Sequence, residues 1–163
     1  MKKVLLSATC ALLLAGCSAT KTGYEVYGNE NGGWDNSVNI TDLEATKYTK
    51  EFNKDTNEVV YFALNSATLD AIAKDDLKGQ VDWLKENPKA LVVIEGRCDE
   101  RGTREYNLAL GDRRANIVRS YLIANGIKAD RIRTISYGKD KPVDDGHDEQ
   151  AWAKNRSATT VAY

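Results

Sequence analysis

Asp99 and Arg114 are the residues of this sequence whose types and placement point most directly to binding chemistry. Asp99 follows the apolar run Ala90-Leu-Val-Val-Ile94, and a carboxylate just beyond the end of a central strand faces the crevice that open α/β folds use for ligands. There it can accept hydrogen bonds from an ammonium group. Arg114 carries a planar guanidinium that grips a carboxylate through two parallel charge-assisted bonds, a geometry Lys does not reproduce. One side chain for each charge suits a zwitterionic ligand. The spacing leaves open whether the two converge. Arg97, Asp99, Glu100, Arg101, Arg104, Glu105, Asp112, Arg113 and Arg114 fall within one short stretch, and a solvated ion-pair surface, with each pair contributing about 0–1 kcal/mol, is the alternative.

Other chemistry is less well supplied. Asp99 and Glu100 could be imagined as the acid and base of a cell-wall hydrolase, but adjacent residues of one loop point apart and no nucleophile or metal accompanies them. The chain therefore reads as non-enzymatic. His147 is the single histidine and has no Cys or carboxylate cluster at ligand spacing, so it reads as a loop hydrogen-bonding residue and no metal site is expected. Cys98 reads as a small buried apolar residue rather than a reactive thiol.

The elements that must position Asp99 and Arg114 begin with Val59, Val60, Tyr61 and Phe62, a β-branched and aromatic strand. Leu69, Ala73, Leu77, Val81 and Leu84 recur at helical steps up to Asn87-Pro88, where proline stops the helix. The run from Ala90 to Ile94 follows as a central strand. Tyr106, Leu110, Ile117, Val118, Tyr121 and Leu122 mark a second helix, ended by Asn125-Gly126. Arg131 to Tyr137 is a third strand ending at Gly138. A polar loop with His147, one or two helical turns over Glu149–Asn155, and a last strand over Ser157–Tyr163 complete the chain. The order β-α-β-α-β-(short α)-β predicts a two-layer α/β (α+β) sandwich, with a mixed four-stranded sheet and both main helices on one face.

The N-terminus is of another kind. Lys2 and Lys3 precede an apolar run from Val4 to Ala15, too short to span a membrane and typical of a secretory signal peptide. It ends in Leu14-Ala-Gly-Cys17, which resembles the bacterial lipobox and implies that residues 1–16 are removed and Cys17 carries an N-acyl diglyceride with a palmitate-type chain. Ser18, rather than Asp, implies sorting to the outer membrane. No other cofactor is expected. Cleavage leaves 147 of the 163 residues, with 21 basic against 24 acidic side chains and a net charge of −3. No cationic excess argues for nucleic acid. With Cys10 cleaved off and Cys17 acylated, Cys98 has no partner for an internal disulfide.

Residues 17–55 are rich in Asn, Gly, Thr and Lys and read as a lipid-anchored linker, with a globular domain over 56–163. As a flexible coil the linker averages roughly 30–40 Å and reaches more than about 100 Å when straight. Within it, Thr41-Asp-Leu-Glu44 has capping-box spacing ahead of Tyr48 and Phe52, a signal for a short helix.

The stretch Glu95-Gly-x-Cys-Asp-Glu-Arg-Gly-Thr-x-Glu-Tyr-Asn-x-x-Leu-Gly-x-Arg-Arg-Ala-Asn116 resembles the signature of the peptidoglycan-associated lipoproteins (Pal) within the OmpA-like C-terminal domain family. The likeness runs from about Val59 to Tyr163 and includes Ser136-Tyr-Gly-Lys-Asp-Lys-Pro142, Gly146-His-Asp-Glu149 and Asn155-Arg156. It implies a periplasmic domain, lipid-anchored in the outer membrane, that holds the diaminopimelate residue of peptidoglycan stem peptides without covalent chemistry. Asp99 and Arg114 match the family's ligand residues, and Gly96, Gly102, Thr103, Asn107 and Leu110 match residues that shape the site. The resemblance further implies partnership with TolB and the Tol complex, in outer-membrane invagination at division and in envelope integrity. A generic OmpA-like envelope lipoprotein without Tol partners is the alternative. The chain departs from the family at Phe62-Ala-Leu-Asn65, where many members alternate Phe and Asp, so Ala63 supplies no carboxylate and Asn65 only an amide.

Overall fold

The computed structural model describes Gly33, Trp34, Asn39 and residues 45–163. The expected signal peptide, Cys17 and the Thr41–Glu44 capping signal lie outside the described residues. The elements are α1 (Lys47–Asp55), β1 (Val59–Tyr61), α2 (Ala71–Glu86), β2 (Val92–Arg97), α3 (Arg104–Ala124), a 3-10 turn (Ala129–Arg131), β3 (Ile132–Gly138), α4 (Glu149–Asn155) and β4 (Ser157–Ala162). The strands form one mixed sheet in the order β1-β4-β2-β3. β2 and β3 are parallel, with Val92 opposite Ile132, while β4 runs antiparallel to β1 and β2. This is the expected four-stranded α/β architecture.

Local chemistry sets each helix. Asp70 caps α2 by accepting from the Ala73 amide at 2.8 Å, and Ala73, Leu77, Val81 and Leu84 form its buried stripe. Thr103 caps α3, and Gly126 follows its C-terminus with φ +98°, a left-handed conformation glycine adopts without a Cβ clash. Helix α1 occupies residues assigned by sequence to the linker. Thr46 caps it together with Thr49, and the threonine hydroxyl of Thr49 donates to the Ala162 carbonyl at 2.5 Å. Tyr48 and Phe52, one turn apart, give α1 its inward side. Phe52 is fully buried with its ring edge-on to Trp83, centroids 5.0 Å apart. Two residues are too few to register as a helical period.

Helices α1, α2 and α3 cover one face of the sheet, where Val60, Val92 and Ile94 meet Phe52, Leu77, Leu84, Val118 and Leu122. The opposite face exposes a smaller apolar patch of Leu91 and Val93, flanked by Ile135 and Tyr163, and Trp34 closes it. Trp34 donates its indole N–H to the Arg131 carbonyl at 3.0 Å and its amide to the Asp130 carbonyl at 3.1 Å, with its ring edge-on to Tyr163. No helix among the described residues is long and apolar enough to cross a membrane.

Where α3 crosses β2 the two backbones nearly touch: a Cβ placed on Gly96 would overlap the Gly111 carbonyl oxygen. Gly79, in the middle of α2, has nothing within 4 Å of the equivalent position. Gly96→Ala is expected to lower unfolding free energy by about 1–3 kcal/mol or more, since neither backbone can yield. Gly79→Ala should raise it by about 0.5–1 kcal/mol. Urea unfolding of both variants checks the opposite signs.

Candidate functional site

β2 ends at Arg97, and the chain turns at Cys98, whose amide donates to the Gly138 carbonyl at 2.8 Å. The Cys98 thiol is buried, 3.3 Å from the Asn107 carbonyl, and burial pushes its pKa up. Asp99 follows, only 4% exposed. Its Oδ2 accepts from Arg101 Nη2 at 2.6 Å and Arg156 Nη1 at 3.4 Å, and its Oδ1 from the Arg101 amide at 3.2 Å. Burial works against the charged carboxylate, but the side-chain and backbone bonds from Arg101 and the bond from Arg156 outweigh it. They hold Asp99 below the usual 3.8.

Arg114 lies on the inner side of α3 with no exposed surface. Its Nε donates to the Ser66 carbonyl at 2.9 Å, Nη1 to the Arg97 carbonyl at 2.7 Å and Nη2 to the Ala63 carbonyl at 3.2 Å. The Phe62 ring lies 5.1 Å from the guanidinium. Burial lowers its pKa. The structure therefore brings Arg114 to the same strand end as Asp99, and the nitrogens that the sequence reading directs to a ligand carboxylate donate here to main-chain carbonyls of the β1–α2 loop and β2.

A third arginine, Arg156, completes the frame. It is 9% exposed and donates from Nε to the Phe62 carbonyl at 3.1 Å and from Nη2 to Glu149 at 2.8 Å, in addition to its bond to Asp99. It was not among the candidate site residues because no local period ties it to Asp99. The only signal was its place at the end of the Asn155-Arg156 pair. The loop after β1 is thus strung between Arg156 at Phe62 and Arg114 at Ala63 and Ser66. Ala63 contributes its carbonyl, and Asn65 takes a left-handed φ of +54°. Beside them a groove of about 390 Å³ opens between Tyr61, Phe62, Ala63, Asp70, Lys154 and Arg156.

The structure places the residues expected to shape the site along this loop and the start of α3. Gly102 adopts φ +94° in the loop, and the Thr103 hydroxyl accepts from the Tyr106 amide at 3.2 Å to start α3. Asn107 is buried and donates to the Arg101 carbonyl at 3.0 Å. Leu110 is buried below, and Gly96 admits α3. Glu100 points to a different set of partners from Asp99. It accepts from Trp152 Nε1 at 2.9 Å and meets His147 Nδ1 at 2.7 Å, bonds that lower its pKa, that from Trp152 foremost. His147 is therefore a loop hydrogen-bonding residue, and no metal-holding group of His, Cys, Asp and Glu occurs among the described residues. What the arrangement offers chemically is one recessed carboxylate inside a frame of cations, next to an open groove. A small zwitterion, ammonium toward Asp99 and carboxylate toward the arginines, matches that pattern of charge.

Comparison with known proteins gives a consistent answer. A profile described as the OmpA family matches residues 61–156. A peptidoglycan-associated lipoprotein of Mesorhizobium japonicum is 36% identical over 97% of this chain and 90% of its own length. One of Pasteurella multocida is 39% identical over 100% of this chain and 98% of its own. The crystal structure of the peptidoglycan-associated lipoprotein from Burkholderia pseudomallei superposes with a TM-score of 0.64 at 41% identity, covering 66% of this chain and 91% of that one.

Two outcomes are expected from this geometry. Arg114→Lys keeps the charge but replaces a three-nitrogen fork with one nitrogen, leaving buried carbonyls unpaired, and should cost about 2–4 kcal/mol in urea unfolding. Asp99 has a folded pKa below its unfolded value, so its contribution is complete above pH 3.8 and is lost as pH falls through the depressed folded value. Wild type should exceed Asp99→Asn in stability at neutral pH, and the gap should close in acid below 3.8, as denaturant melts at a series of pH values would record.

Proposed function

Because the chain belongs to the OmpA family, within its peptidoglycan-associated lipoprotein branch, we propose that it is a non-enzymatic anchor that ties a membrane to the cell wall. The observation that carries this reading is the recessed Asp99 carboxylate at the exit of the parallel strands, paired with Arg101 and Arg156, while Arg114 holds the adjoining main-chain carbonyls of Arg97, Ala63 and Ser66. Its ligand in this proposal is the diaminopimelate of peptidoglycan stem peptides, whose free ammonium and carboxylate match that pattern of charge. Asp99 takes the ammonium. Arg114 holds the loop that walls the pocket and, with Arg156, supplies the positive field for the carboxylate. Residues 1–16 act as the signal peptide, and Cys17 carries the lipid in the outer membrane. The stretch that follows lets the domain over about 56–163 reach the wall, with α1 joining that domain. Many copies in one membrane facing one polymer bind multivalently, so single-site affinity need not be high.

TolB and the Tol complex are the proposed protein partners, with outer-membrane invagination at division as the process served. Crosslinking to TolB in cells separates this from an OmpA-like lipoprotein without Tol partners.

The wall-binding reading is tested by sedimentation of the mature chain with purified peptidoglycan. Retention is expected on diaminopimelate-containing wall, with release by excess free meso-diaminopimelate. Asp99→Asn should weaken it by roughly 10- to 100-fold, the size of a lost charge-assisted bond. Undiminished retention of Asp99→Asn, or equal retention on wall whose stem peptides carry lysine, would sink the assignment.

A further inference from the structure

The Asp99 carboxylate has its lone pairs occupied by the protein's own donors. Three approach it: the Arg101 amide, Arg156 Nη1 and Arg101 Nη2, the last being the shortest at 2.6 Å. They are not equally fixed. The amide belongs to the loop that Gly102 and Thr103 lock in place. Arg156 is 9% exposed and tied at Nε and Nη2 to Phe62 and Glu149. The Arg101 side chain is 36% exposed, and its Nε, shielded from solvent, has no acceptor among the described residues. Arg114, by contrast, donates from all three of its nitrogens, and so does Arg131, which bonds the Leu84, Asn87 and Ala90 carbonyls. Arg101 is the incompletely satisfied arginine of this cluster.

It also has somewhere else to go. Its guanidinium lies 4.3 Å from the centre of the Trp152 ring, and its Nη1 stands 3.6 Å from Glu149, whose side chain is 66% exposed. A short rotation about the outer bonds of Arg101 exchanges Asp99 for Glu149 without leaving the Trp152 face. The cation–π contact and one ion pair survive in either position. Asp99, which is recessed, keeps Arg156 as its other side-chain cation when Arg101 leaves.

We propose that Arg101 is a built-in competitor for the ligand's ammonium: its guanidinium occupies Asp99 in the empty site and moves along Trp152 to Glu149 when a ligand enters. This rests on Asp99 being the ammonium site in the proposed function. Binding is then an exchange of one cation for another at a single carboxylate. The recessed charge is never left unpaired, and a ligand must offer an ammonium placed to replace the guanidinium. An uncharged or N-acylated analogue has nothing to exchange and is rejected. Arg101 acts here as a specificity-determining residue through Asp99.

The experiment is titration calorimetry of the mature chain with meso-diaminopimelate, comparing wild type, Arg101→Gln and Asp99→Asn. Circular dichroism melts show that each variant is folded. Removal of the competitor is expected to tighten binding by roughly 2- to 5-fold, the scale of a partly exposed ion pair, and Asp99→Asn to weaken it by roughly 10- to 100-fold. In the wild type, the Arg101 Nε–Hε resonance should shift on ligand addition with the same midpoint as the heat. If Asp99→Asn weakens binding while Arg101→Gln binds equally or more weakly, Asp99 keeps its role and the competitor falls. If Asp99→Asn binds as wild type does, the ammonium-site reading falls and this inference with it. Unchanged Arg101 resonance at saturation overturns the displacement even where affinity rises.

Discussion

Guanidinium groups buried against main-chain carbonyls are the constraint on which this domain's architecture depends. An isolated ion removed from water costs several kcal/mol, and the interior can hold one only where its donors are met. Arg114 meets carbonyls from both β2 and the loop after β1. Arg131 does the same at the other end of the sheet, joining the last turn of α2 to the start of β2 through Leu84, Asn87 and Ala90. In each case one side chain satisfies several loop carbonyls that helices and strands leave over. The benefit is mutual: the loops gain donors and the charges gain solvation. Because the acceptors belong to different segments, neither loop can shift without exposing an unpaired charge.

That constraint explains how the site can rest on loops and still be fixed. The segment from Cys98 to Thr103 is gripped from below by Asn107 and from the side by Lys139, whose ammonium donates to the Glu100 and Gly102 carbonyls at 3.1 and 2.7 Å. Asp99 and Glu100 then divide the work of one loop. Asp99 turns inward to the arginines, while Glu100 turns outward to Trp152 and His147, docking the loop on α4 and the segment before it. Adjacent carboxylates with different partners serve different ends.

Much of this was legible beforehand, for identifiable reasons. α2 and α3 follow from their apolar periods and their stops at Pro88 and Gly126, and β2 from a continuous apolar run. Helix α1 was blurred, because Tyr48 and Phe52 alone set its inward side and its value comes from burying Phe52 against Trp83, a tertiary contact. Asp99 was identifiable from its place at the end of a strand. The local role of Arg114 was not: residue type predicts affinity for an anion, and only the folded loop supplies the carbonyls that take its place. Arg156 was missed because its contact with Asp99 spans the sequence from β2 to the end of α4.

Trp34 has a mechanical consequence. By seating on the Leu91 and Val93 face and bonding to Asp130 and Arg131, it fixes the chain to the sheet well before α1 begins. A load arriving from the N-terminal side is therefore delivered first to the corner between the 3-10 turn and β3, on the side of the sheet away from α2 and α3, and not to the capped end of α1. Once that seat is lost, the twelve residues from Asp35 to Thr46 can add at most about 40 Å of reach before α1 is pulled. Trp34 and α1 are thus two successive holds on the N-terminal segment, the outer one resting on a single indole.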